Sequence, residues 1–520
     1  MNFPSSCGVL VIGGGNAGFC AAISAAQVQG AGKVVLIDKC PSEWAGGNSY
    51  FTAGAFRTVH NGLEDLLPIV NNVDTATAKT IDLPPYTEAD FTNDMIRVTG
   101  KRTDKALCQV LVNDSNDTVK WLANNGVRFQ LSFNRQAYKV NGRTKFWGGL
   151  ALKTQDGGKG LIQDHLRAAS KLGIDVFFST SAVKLIVNEL TGMVQSVVVI
   201  HKDQRKVINT DAVVLAAGGF EANPRMRAQF LGPHWDAAFV RGTPYNSGDC
   251  LEMAIRDVSA KQAGNWSGCH CVAWDANAPT ETGDREISNE FTKSGYPLGI
   301  MINRQGSRFV DEGSDLRNYT YAMIGRQILH QPGHIAFQVW DSRTVSWLRE
   351  EEYRPEVVQR ITASSISELA EKCAVHGLED KQRFERTIRE FNHAVYESQR
   401  HNPGRSWDPS VKDGLTTQSQ AGGLEIPKSN WAVSIDQPPF LAVKVSAGIT
   451  FTFGGLAINP RTGCVISSVT NQDISGLFCA GEMLGGLFYD NYPGGSGLTS
   501  GAVFGRRAGE QAAYYTVPIG

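Results

Sequence analysis

The sequence lacks the features that mark membrane proteins and nucleic-acid-binding proteins. Across its 520 residues, no apolar run approaches the roughly 20 residues that a membrane-spanning helix needs. Fifty basic residues stand against 51 acidic ones, so the formal charge is −1 and no basic excess is available for nucleic acid or anionic lipid. We therefore expect neither a membrane span nor a nucleic-acid partner.

Cysteine is present without a recognisable metal or haem pattern. The 10 cysteines form no C-x-x-C pair and no C-x-x-C-H motif. The closest pair, Cys269 and Cys271, flanks His270, but no second pair follows at zinc-like spacing. We expect buried free thiols and no metal site. A glycine motif begins shortly after Met1 and leaves no room for a cleaved signal peptide, so we predict a cytoplasmic protein.

The first strong pattern lies between residues 7 and 38. The apolar run 9–12 predicts a buried strand, and Gly13, Gly15 and Gly18 follow in G-x-G-x-x-G spacing at the start of a small-residue helix. A second apolar run ends at Asp38, 20 residues past the third glycine. In a dinucleotide-binding βαβ unit the glycines permit a tight turn, approach of a pyrophosphate and close packing, and the acid binds a ribose hydroxyl. An ordinary βαβ unit without nucleotide is the alternative. The predicted nucleotide-binding residues here are Gly13, Gly15, Asn16, Ala17, Gly18, Asp38 and Lys39.

Length and composition predict a large α/β enzyme of two or three packed units. The sequence is 42% hydrophobic and contains 55 glycines. The segment 143–160 is glycine-rich and basic. Two interpretations of it are open: a segment that borders an anionic substrate, and a solvated loop. The predicted elements are helical structure within 87–126, a helix at 164–172, strands at 174–178, 182–187, 196–200 and 211–216, two helices within 367–396, and a strand from 440.

A second glycine turn makes a family resemblance specific. Gly46-Gly47-Asn48-Ser49 follows the acid-ended strand, and the phrase VLAAGGF occupies 214–220. With the first motif, these phrases resemble the FAD-dependent family of fumarate reductase and succinate dehydrogenase flavoproteins, tricarballylate dehydrogenase and 3-ketosteroid Δ1-dehydrogenases. The resemblance implies an α/β fold: a Rossmann-like FAD-binding domain of the glutathione reductase type at 1–240 and 441–520, and an inserted α+β capping domain at 241–440.

The resemblance also implies how FAD is held. Some family members attach FAD through a histidine just before the double glycine, where this sequence has Ser42-Glu43-Trp44-Ala45, so we expect non-covalent FAD. Glu482, in the phrase GLFCAGE, would bind ribitol or ribose hydroxyls, and the helix after Gly494-Gly495 would point its N-terminus at the flavin. Asp249 is expected to accept backbone N–H bonds at a helix start. The additional expected FAD contacts are Gly46, Gly47, Asn48, Ser49, Val183, Ala217, Gly218, Gly219, Gly481, Glu482, Ser496, Gly497 and Leu498.

Substrate-side residues are expected in two phrases. NWSGCH carries His270 where the family's substrate-side histidine lies, and RNYTYA, which is similar to tricarballylate dehydrogenase, carries Arg317. The alternatives are a structural histidine, and an arginine that pairs with Asp311, Glu312 or Asp315. As a cation Arg317 would clamp a carboxylate and stabilise enolate charge, since its pKa is too high for an ordinary base. The candidate proton carriers are Tyr319, Tyr321 and Tyr492.

Three functions stay open at this point. The first is dehydrogenation of a small polycarboxylate such as tricarballylate, with hydride transfer to flavin N5. The second is Δ1-type dehydrogenation of a ketone or steroid-like compound, because Thr450-Phe451 and Tyr492-Pro493 replace the substrate histidine and arginine of fumarate reductases; Phe51, Phe56 and Phe451 would line its apolar pocket. The third is a flavoprotein subunit that docks a redox partner. The electron acceptor or donor is not predicted.

Overall fold

The chain forms two compact units built from non-contiguous stretches. The computed structural model describes residues 3–30, 32–134, 136–420 and 422–516, and describes only the backbone of Ser288 and Asn318. The first unit comprises Met1–Leu231, Gly242–Cys269 and Phe451–Gly520, and the second comprises Gly232–Arg241 and His270–Thr450. The extreme ends of the predicted FAD domain, 1–2 and 517–520, lie outside the described residues.

The strands and helices have the following bounds. The strands are β1 (Ser6–Ile12), β2 (Val34–Ile37), β3 (Ala55–Phe56), β4 (Ile81–Asp82), β5 (Phe129–Leu131), β6 (Ala137–Val140), β7 (Arg143–Phe146), β8 (Leu152–Thr154), β9 (Asp175–Phe177), β10 (Thr180–Val187), β11 (Val194–His201), β12 (Gln204–Leu215), β13 (Phe239–Val240), β14 (Gln262–Asp275), β15 (Ile300–Asn303), β16 (Ala336–Trp340), β17 (Ile361–Ala363), β18 (Gln418–Ser419), β19 (Gly422–Gly423), β20 (Phe440–Leu456), β21 (Cys464–Ile466) and β22 (Asp473–Cys479). The helices are α1 (Asn16–Gln27), α2 (Gly47–Tyr50), α3 (Leu63–Leu66), α4 (Thr75–Ala78), α5 (Glu88–Val98), α6 (Lys105–Asn124), α7 (Gly157–Lys171), α8 (Pro224–Met226), α9 (Asp249–Val258), α10 (Arg317–Leu329), α11 (Ser342–Val345), α12 (Glu350–Tyr353), α13 (Ile366–Val375), α14 (Lys381–His401) and α15 (Ser496–Thr516).

A parallel sheet forms the centre of the first unit. Its strands run in the order β9-β2-β1-β12-β22, and all four neighbouring pairs are parallel. The apolar runs Val9–Ile12 and Val34–Ile37 are fully buried, as expected for strands covered on both faces. The first half of β12 pairs instead with the antiparallel hairpin β10–β11, which confirms the predicted meander.

Two helices of small residues cover this sheet. α1 and α15 pack along each other, and a Cβ added at Gly505 or Gly509 would overlap the backbone of Ala17 or Ala21. Ten consecutive residues of α1, from Asn16 to Ala25, are buried. The glycines therefore allow α15, from the end of the chain, to lie against the first helix.

Two local predictions were wrong. The helix predicted at 164–172 begins earlier, at Gly157. Gly158 and Gly160 lie where a side chain would overlap neighbouring backbone, so glycine allows close packing at the start of this helix. Residues 157–160, which belong to the segment interpreted as a possible loop, are therefore helical. Asp249 does not cap its helix. It is the first helical residue, Gly248 occupies the N-cap with φ +79, and the Asp249 carboxylate pairs with Lys39.

The second unit is an antiparallel-rich sheet with helices on both faces. β15, β16 and β17 are antiparallel to their neighbours, β13 is parallel to β20, and β14 also pairs with β20. Alternate residues of β15 face opposite sides: Ile300 and Ile302 pack with α13 and α14, whereas Met301 packs with α10. The helical stripe Phe384, Ile388, Phe391 and Val395 is fully buried on the α14 side.

Phe56 belongs to the core and does not line a pocket. Its side chain is 0% exposed and packs edge-on against Phe129, with ring centroids 5.4 Å apart. The pocket-lining prediction for Phe56 was therefore wrong. In the part of the chain that the structure describes, no helix combines the length and apolarity needed to cross a membrane.

Candidate active site

The first glycine motif forms a tight turn at the end of β1. Gly13 has φ +111, and a Cβ there or at Gly18 would overlap backbone carbonyls. Asp38, at the end of β2, accepts the backbone N–H of Gly14 at 2.7 Å through one oxygen and that of Cys40 at 2.9 Å through the other. Each carboxylate oxygen has a second lone pair, so a ribose hydroxyl remains a possible additional donor.

Asn16 connects three of the predicted cofactor-binding segments. Its backbone N–H donates to Ser49 Oγ at 3.0 Å, and its side-chain Nδ2 donates to the Leu498 carbonyl at 2.8 Å. Its Oδ1 lies 3.0 Å from Nε2 of the buried His165. Because burial lowers the His165 pKa to about 3, the imidazole is neutral and can donate to this oxygen. The structure thus brings the first motif, the second glycine turn and the C-terminal helix together.

The two glycine turns lie close together at Gly15 and Gly47. A Cβ added at Gly15 would meet nothing closer than Ser49 Oγ at 3.6 Å, and one at Gly47 nothing closer than the Gly15 Cα at 3.7 Å. Gly15 is also the N-cap of α1 and has no side-chain capping bond. A helix N-terminus that begins at a glycine, beside a second glycine turn, is suited to an anionic pyrophosphate, so the residues present fit FAD.

Two carboxyl groups, the buried Glu221 and the half-buried Glu482, lie beside the third glycine pair. Glu482 accepts bonds from the Thr452 N–H at 2.8 Å and the Thr452 hydroxyl at 3.0 Å, and a Cβ at Gly219 would overlap it. Glu221 accepts from Asn246 Nδ2 at 2.6 Å and from Asn48, and it contacts Glu482. Burial, together with Glu482, raises the pKa of Glu221 well above its ordinary value, and burial raises that of Glu482 to about 7.

The remaining predicted cofactor residues lie in the same unit. Lys39 pairs with Asp249, Val183 lies at a register shift in β10, and Ala217 N–H donates to Met483 Sδ at 3.2 Å. Ser496, fully buried, donates to the Pro493 carbonyl at 2.6 Å. The positions with positive φ are Gly46, Gly47, Gly218 and Gly481.

An aromatic group flanks Gly497 at the start of α15. We define the aromatic group as Phe451, Phe453, Phe488 and Tyr492. Ring centroids of Phe451 and Tyr492 are 5.5 Å apart, and those of Phe488 and Tyr492 are 5.6 Å apart. A Cβ at Gly497 would lie 3.6 Å from the Tyr492 ring and 3.8 Å from the Phe451 ring. Tyr492, a predicted proton carrier, therefore sits in an apolar environment in the first unit.

Arg317 begins α10 in the second unit and is held by a buried acid. Its Nη1 donates to Ser294 Oγ at 3.1 Å, and that hydroxyl donates to Glu352 Oε2 at 2.5 Å. Burial alone would lower the pKa of Arg317. The electrostatic effects of Tyr321, Glu352 and other neighbouring groups are together larger and raise this pKa, so the guanidinium stays charged. Glu312, one of the alternative partners, pairs with Arg308 at 2.5 Å. Arg317 is thus a fixed cation and not a proton carrier.

His270 is a neutral, buried imidazole near a second arginine. It is 7% exposed, and burial and then Arg241 lower its pKa to about 3. Its ring lies 6.3 Å from Tyr321 in an edge arrangement. Tyr321 in turn acts electrostatically on Arg317. We call His270, Tyr321, Arg317 and Arg241 together the cation cluster. Tyr319 is on the same helix as Arg317 and Tyr321.

Several residues of these sites were not predicted from sequence. Arg241, Ser294 and Glu352 are far apart in the chain and belong to no short motif. Glu221 directly follows the phrase VLAAGGF, so an acid beside a predicted glycine pair was a usable signal.

Comparison with known proteins agrees with this architecture. The family model described as "FAD binding domain" matches residues 8–498, and the chain belongs to that family. A fumarate reductase (cytochrome) of Shewanella frigidimarina is 28% identical over 512 residues, which cover 98% of this chain and 77% of that protein.

Two solved structures share the fold. The open conformation of a flavocytochrome c3 fumarate reductase aligns with TM-score 0.73 and 25% identity, covering 99% of this chain and 79% of that chain. The 3-ketosteroid Δ1-dehydrogenase of Sterolibacterium denitrificans aligns with TM-score 0.71 and 17% identity, covering 98% of this chain and 100% of that chain, which shows the fold alone. The predicted α/β flavoprotein fold and FAD cofactor are confirmed. The protein is an FAD-dependent oxidoreductase that acts on CH–CH or C=C bonds.

Proposed function

We propose that the protein removes two vicinal hydrogens from a small polycarboxylate of the tricarballylate type and leaves a C=C bond. The observation that carries this proposal is the fixed Arg317 cation, held through Ser294 by Glu352. The same cluster contains Arg241 and a neutral His270. Two guanidinium groups with a neutral hydrogen-bonding imidazole suit a substrate with more than one carboxylate.

Arg317 has two tasks in this reaction. It binds the carboxylate next to the carbon that loses a proton, and it offsets the negative charge that develops there. Because its own hydrogen bond to Ser294 is already formed, little reorganisation is needed when the substrate binds. FAD, when bound, supplies the two-electron acceptor for the hydride that leaves the neighbouring carbon.

A tyrosine is our proposed proton carrier. Tyr321 contacts His270 and acts on Arg317, so it lies in the cation cluster. Tyr319 on the same helix and Tyr492 in the aromatic group are the other candidates. The position of Tyr321 beside His270, together with its electrostatic effect on Arg317, favours Tyr321.

The two units are proposed to divide the work. The first carries every predicted FAD contact, so we assign it as the FAD-binding domain, and we assign the second as the capping domain that supplies His270, Arg317 and Tyr319. FAD must be reoxidised by an external acceptor, whose identity the chain does not reveal. We also propose a reducing, cytoplasmic location, which all ten free thiols support.

A second candidate is dehydrogenation of a ketone or steroid-like compound. The aromatic group favours it, because Phe451 and Tyr492 present apolar surface beside Gly497, at positions where the resembling fumarate reductases have polar substrate ligands. This site would bind an apolar ring without a second carboxylate.

Anaerobic mixing with candidate substrates separates the two proposals. Flavin absorbance is followed in a stopped-flow instrument with saturating tricarballylate and, separately, with a 3-ketosteroid. Bleaching by tricarballylate and not by the steroid supports the polycarboxylate proposal. Bleaching by the steroid alone would replace it with the second candidate.

A further inference from the structure

We propose that the buried ion pair between Lys293 and Asp275 positions the Arg317 guanidinium for its task in the reaction. The inference rests on the proposed function for what Arg317 does, and it adds two residues that belong to no predicted site. The pair lies in the second unit, where Asp275 ends β14 and Lys293 belongs to the connection between β14 and β15.

Both members of the pair are withdrawn from solvent. The side chain of Lys293 is 0% exposed and that of Asp275 is 1% exposed, and Lys293 Nζ lies 3.6 Å from Asp275 Oδ2. Among the described residues, no donor lies within hydrogen-bonding distance of this oxygen, so the lysine is the cation that compensates it. Desolvation offsets most of the attraction within a buried ion pair, so we assign this pair a positional role rather than a large contribution to stability.

Lys293 fixes the segment 290–295, which we call the support segment. Its Nζ donates to the Glu290 carbonyl at 2.7 Å, which closes a turn within this segment. Its backbone N–H donates to the Ala273 carbonyl of β14 at 2.9 Å, and its own carbonyl accepts from Gln338 Nε2 of β16 at 2.8 Å. The lysine therefore ties the support segment to itself and to two strands.

The next residue of the support segment makes the contact with Arg317. Ser294 Oγ accepts from Arg317 Nη1 at 3.1 Å, and the Ser294 N–H donates to Glu352 Oε2 at 2.9 Å. Because Lys293 and Ser294 are adjacent in the chain, a displacement of the lysine moves the hydroxyl that holds the guanidinium. A shift of about half an ångström would break the 3.1 Å bond, since contacts beyond about 3.5 Å are no longer hydrogen bonds.

The charge of Lys293 depends on its surroundings and therefore on pH. The titratable and charged groups around its ammonium group are Asp275 at the end of β14, Glu290 in the support segment, Arg354 beside Glu290, Glu352 and Tyr353 of α12, and Arg317 beyond Ser294. Burial lowers the pKa of Lys293 to about 8, and Asp275 is the neighbour that opposes burial most. The pair loses its cation as the pH rises through about 8, so the rate of a reaction that needs Arg317 in place should decline there.

A purely structural role predicts different behaviour. If Lys293 only fills space, its replacement lowers stability but leaves the bond between Arg317 and Ser294 intact and the pH profile of flavin reduction unchanged. If Lys293 positions Arg317, removal of the lysine and removal of the Ser294 hydroxyl act through one contact. Their effects on the rate would then not multiply in the double variant.

The test uses the full-length FAD-loaded protein and tricarballylate. Anaerobic flavin bleaching is followed at saturating tricarballylate from about pH 6 to about pH 10, a range that spans the titration of a lysine with a lowered pKa. Crystal structures of the variants show the contact between Arg317 and Ser294. The variants are Lys293→Met, Asp275→Asn, Ser294→Ala and the double variant of Lys293→Met with Ser294→Ala. Ile388→Val is the control, because it removes one methyl group from the buried stripe of α14 and lowers stability only.

We expect the wild-type rate to decline above about pH 8. Asp275→Asn should move this decline to lower pH by about one unit or more, because the charge that most favours the protonated lysine is lost. Lys293→Met should abolish the decline and slow flavin reduction on the order of 10- to 100-fold at neutral pH, the cost of a misplaced group. Its crystal structure should show Arg317 Nη1 more than about 3.5 Å from Ser294 Oγ. The double variant should be no slower than the slower single variant, and Ile388→Val should match the wild type.

Three results would overturn the inference. They are an intact bond between Arg317 and Ser294 in Lys293→Met, a decline that Asp275→Asn leaves at the same pH, and rate effects of Lys293→Met and Ser294→Ala that multiply in full. If Lys293→Met does not fold, Asp275→Asn decides alone, since its decline either moves or stays.

Failure of the proposed function looks different. If tricarballylate does not reduce the wild-type flavin, the proposed function is wrong, and the crystal structures of the variants then decide whether the pair positions Arg317. If tricarballylate reduces the flavin of the wild type and of Lys293→Met at the same rate, the proposed function stands and the inference is wrong.

Discussion

The carboxyl groups of Glu221 and Glu482 lie close enough to interact electrostatically inside the first unit. Two carboxylates this close cannot both ionise cheaply, so the pair retains a proton at a pH where isolated glutamates have lost it. Asn246 donates to Glu221, and Thr452 donates to Glu482, so each acid is positioned by a neutral donor. The pair is therefore a pH-sensitive element next to the Gly219 turn.

The first prediction is that Glu221→Gln flattens the pH dependence of stability. Burial raises the pKa of Glu482 from 4.5 to about 7, and burial together with Glu482 raises that of Glu221 well above its ordinary value, so the folded state holds protons that the unfolded state releases. Glutamine at 221 removes one of these two titrating groups. This stabilisation is complete below pH 4.5 and is lost as the pH rises through 7, so the free energy of unfolding falls across that interval by roughly 1–3 kcal/mol. A glutamine at 221 keeps an oxygen for Asn246 and offers an N–H to an ionised Glu482.

Urea unfolding at about pH 5 and pH 7.5 checks this prediction. The difference between the two free energies should shrink in Glu221→Gln. It should persist in Glu510→Gln, which changes an exposed glutamate of α15. An unchanged difference in Glu221→Gln would show that Glu221 releases no proton on unfolding across this pH range.

The second prediction separates two glycines of the first motif. Gly13→Ala should fail to fold, because φ is +111 and the added methyl group would overlap Ala216. Gly15→Ala should fold, since its methyl group meets nothing closer than 3.6 Å, but should lose FAD because the methyl group would hinder the approach of a pyrophosphate to the backbone. FAD content per folded protein and circular dichroism measure the two effects. Gly404→Ala, where nothing lies within 4 Å, is the control. Full FAD content in Gly15→Ala would show that the pyrophosphate does not bind beside Gly15.

The third prediction concerns how FAD is attached. No histidine precedes Gly46 in the segment where the resembling membrane-complex proteins carry their attachment residue. Acid or heat precipitation should therefore release the yellow colour into the supernatant. Colour that stays with the precipitated polypeptide would show a covalent bond.

The fourth prediction concerns the Arg317 cation. Arg317→Ala should slow flavin reduction by tricarballylate by about 10²–10³-fold, with little change in FAD content, because one aimed charged donor is lost. Arg317→Lys should restore the rate only in part, since an ammonium cannot grip a carboxylate through two parallel bonds. Stopped-flow bleaching under nitrogen provides the rates, and Arg386→Gln, an exposed arginine of α14, serves as control. Undiminished bleaching in Arg317→Ala would contradict the role of this residue.

The fifth prediction concerns the aromatic group. Tyr492→Phe keeps the ring contacts with Phe451 and Phe488 and removes only the hydroxyl. If Tyr321 carries the proton, flavin reduction should stay within about threefold of the wild-type rate, whereas Tyr321→Phe should slow it on the order of 10²-fold or more. The reverse order of effects would assign the proton to Tyr492 and favour the ketone proposal. Both rates are read from the same anaerobic bleaching.

The sequence predicted the βαβ unit of the first glycine motif better than the side-chain contacts of Arg317 and Arg241, for a physical reason. Gly13, Gly18 and Asp38 lie in one βαβ unit, where spacing along the chain sets spacing in space. Arg317 is hydrogen-bonded to Ser294, which is bonded to Glu352, and Arg241 is hydrogen-bonded to Thr450. Strand pairing and helix packing bring these residues together from distant parts of the chain. No periodic pattern in the local sequence predicts such contacts. The start of α7 at Gly157 was not predicted, because glycine is unfavourable within helices. Close packing against neighbouring backbone favours glycine at these positions all the same.

The packing of α1 against α15 sets an order on biosynthesis. Residues 16–25 of α1 are buried, and α15, at the far end of the chain, covers part of that surface. At translation rates of about 5–20 residues per second, roughly half a minute to a minute and a half passes between synthesis of the two helices. During this time the small-residue face of α1 has no partner, and the Leu498 carbonyl that Asn16 binds does not yet exist. The contact between α1 and α15, and the hydrogen bond from Asn16 to Leu498, can therefore form only after residue 498 has been synthesised.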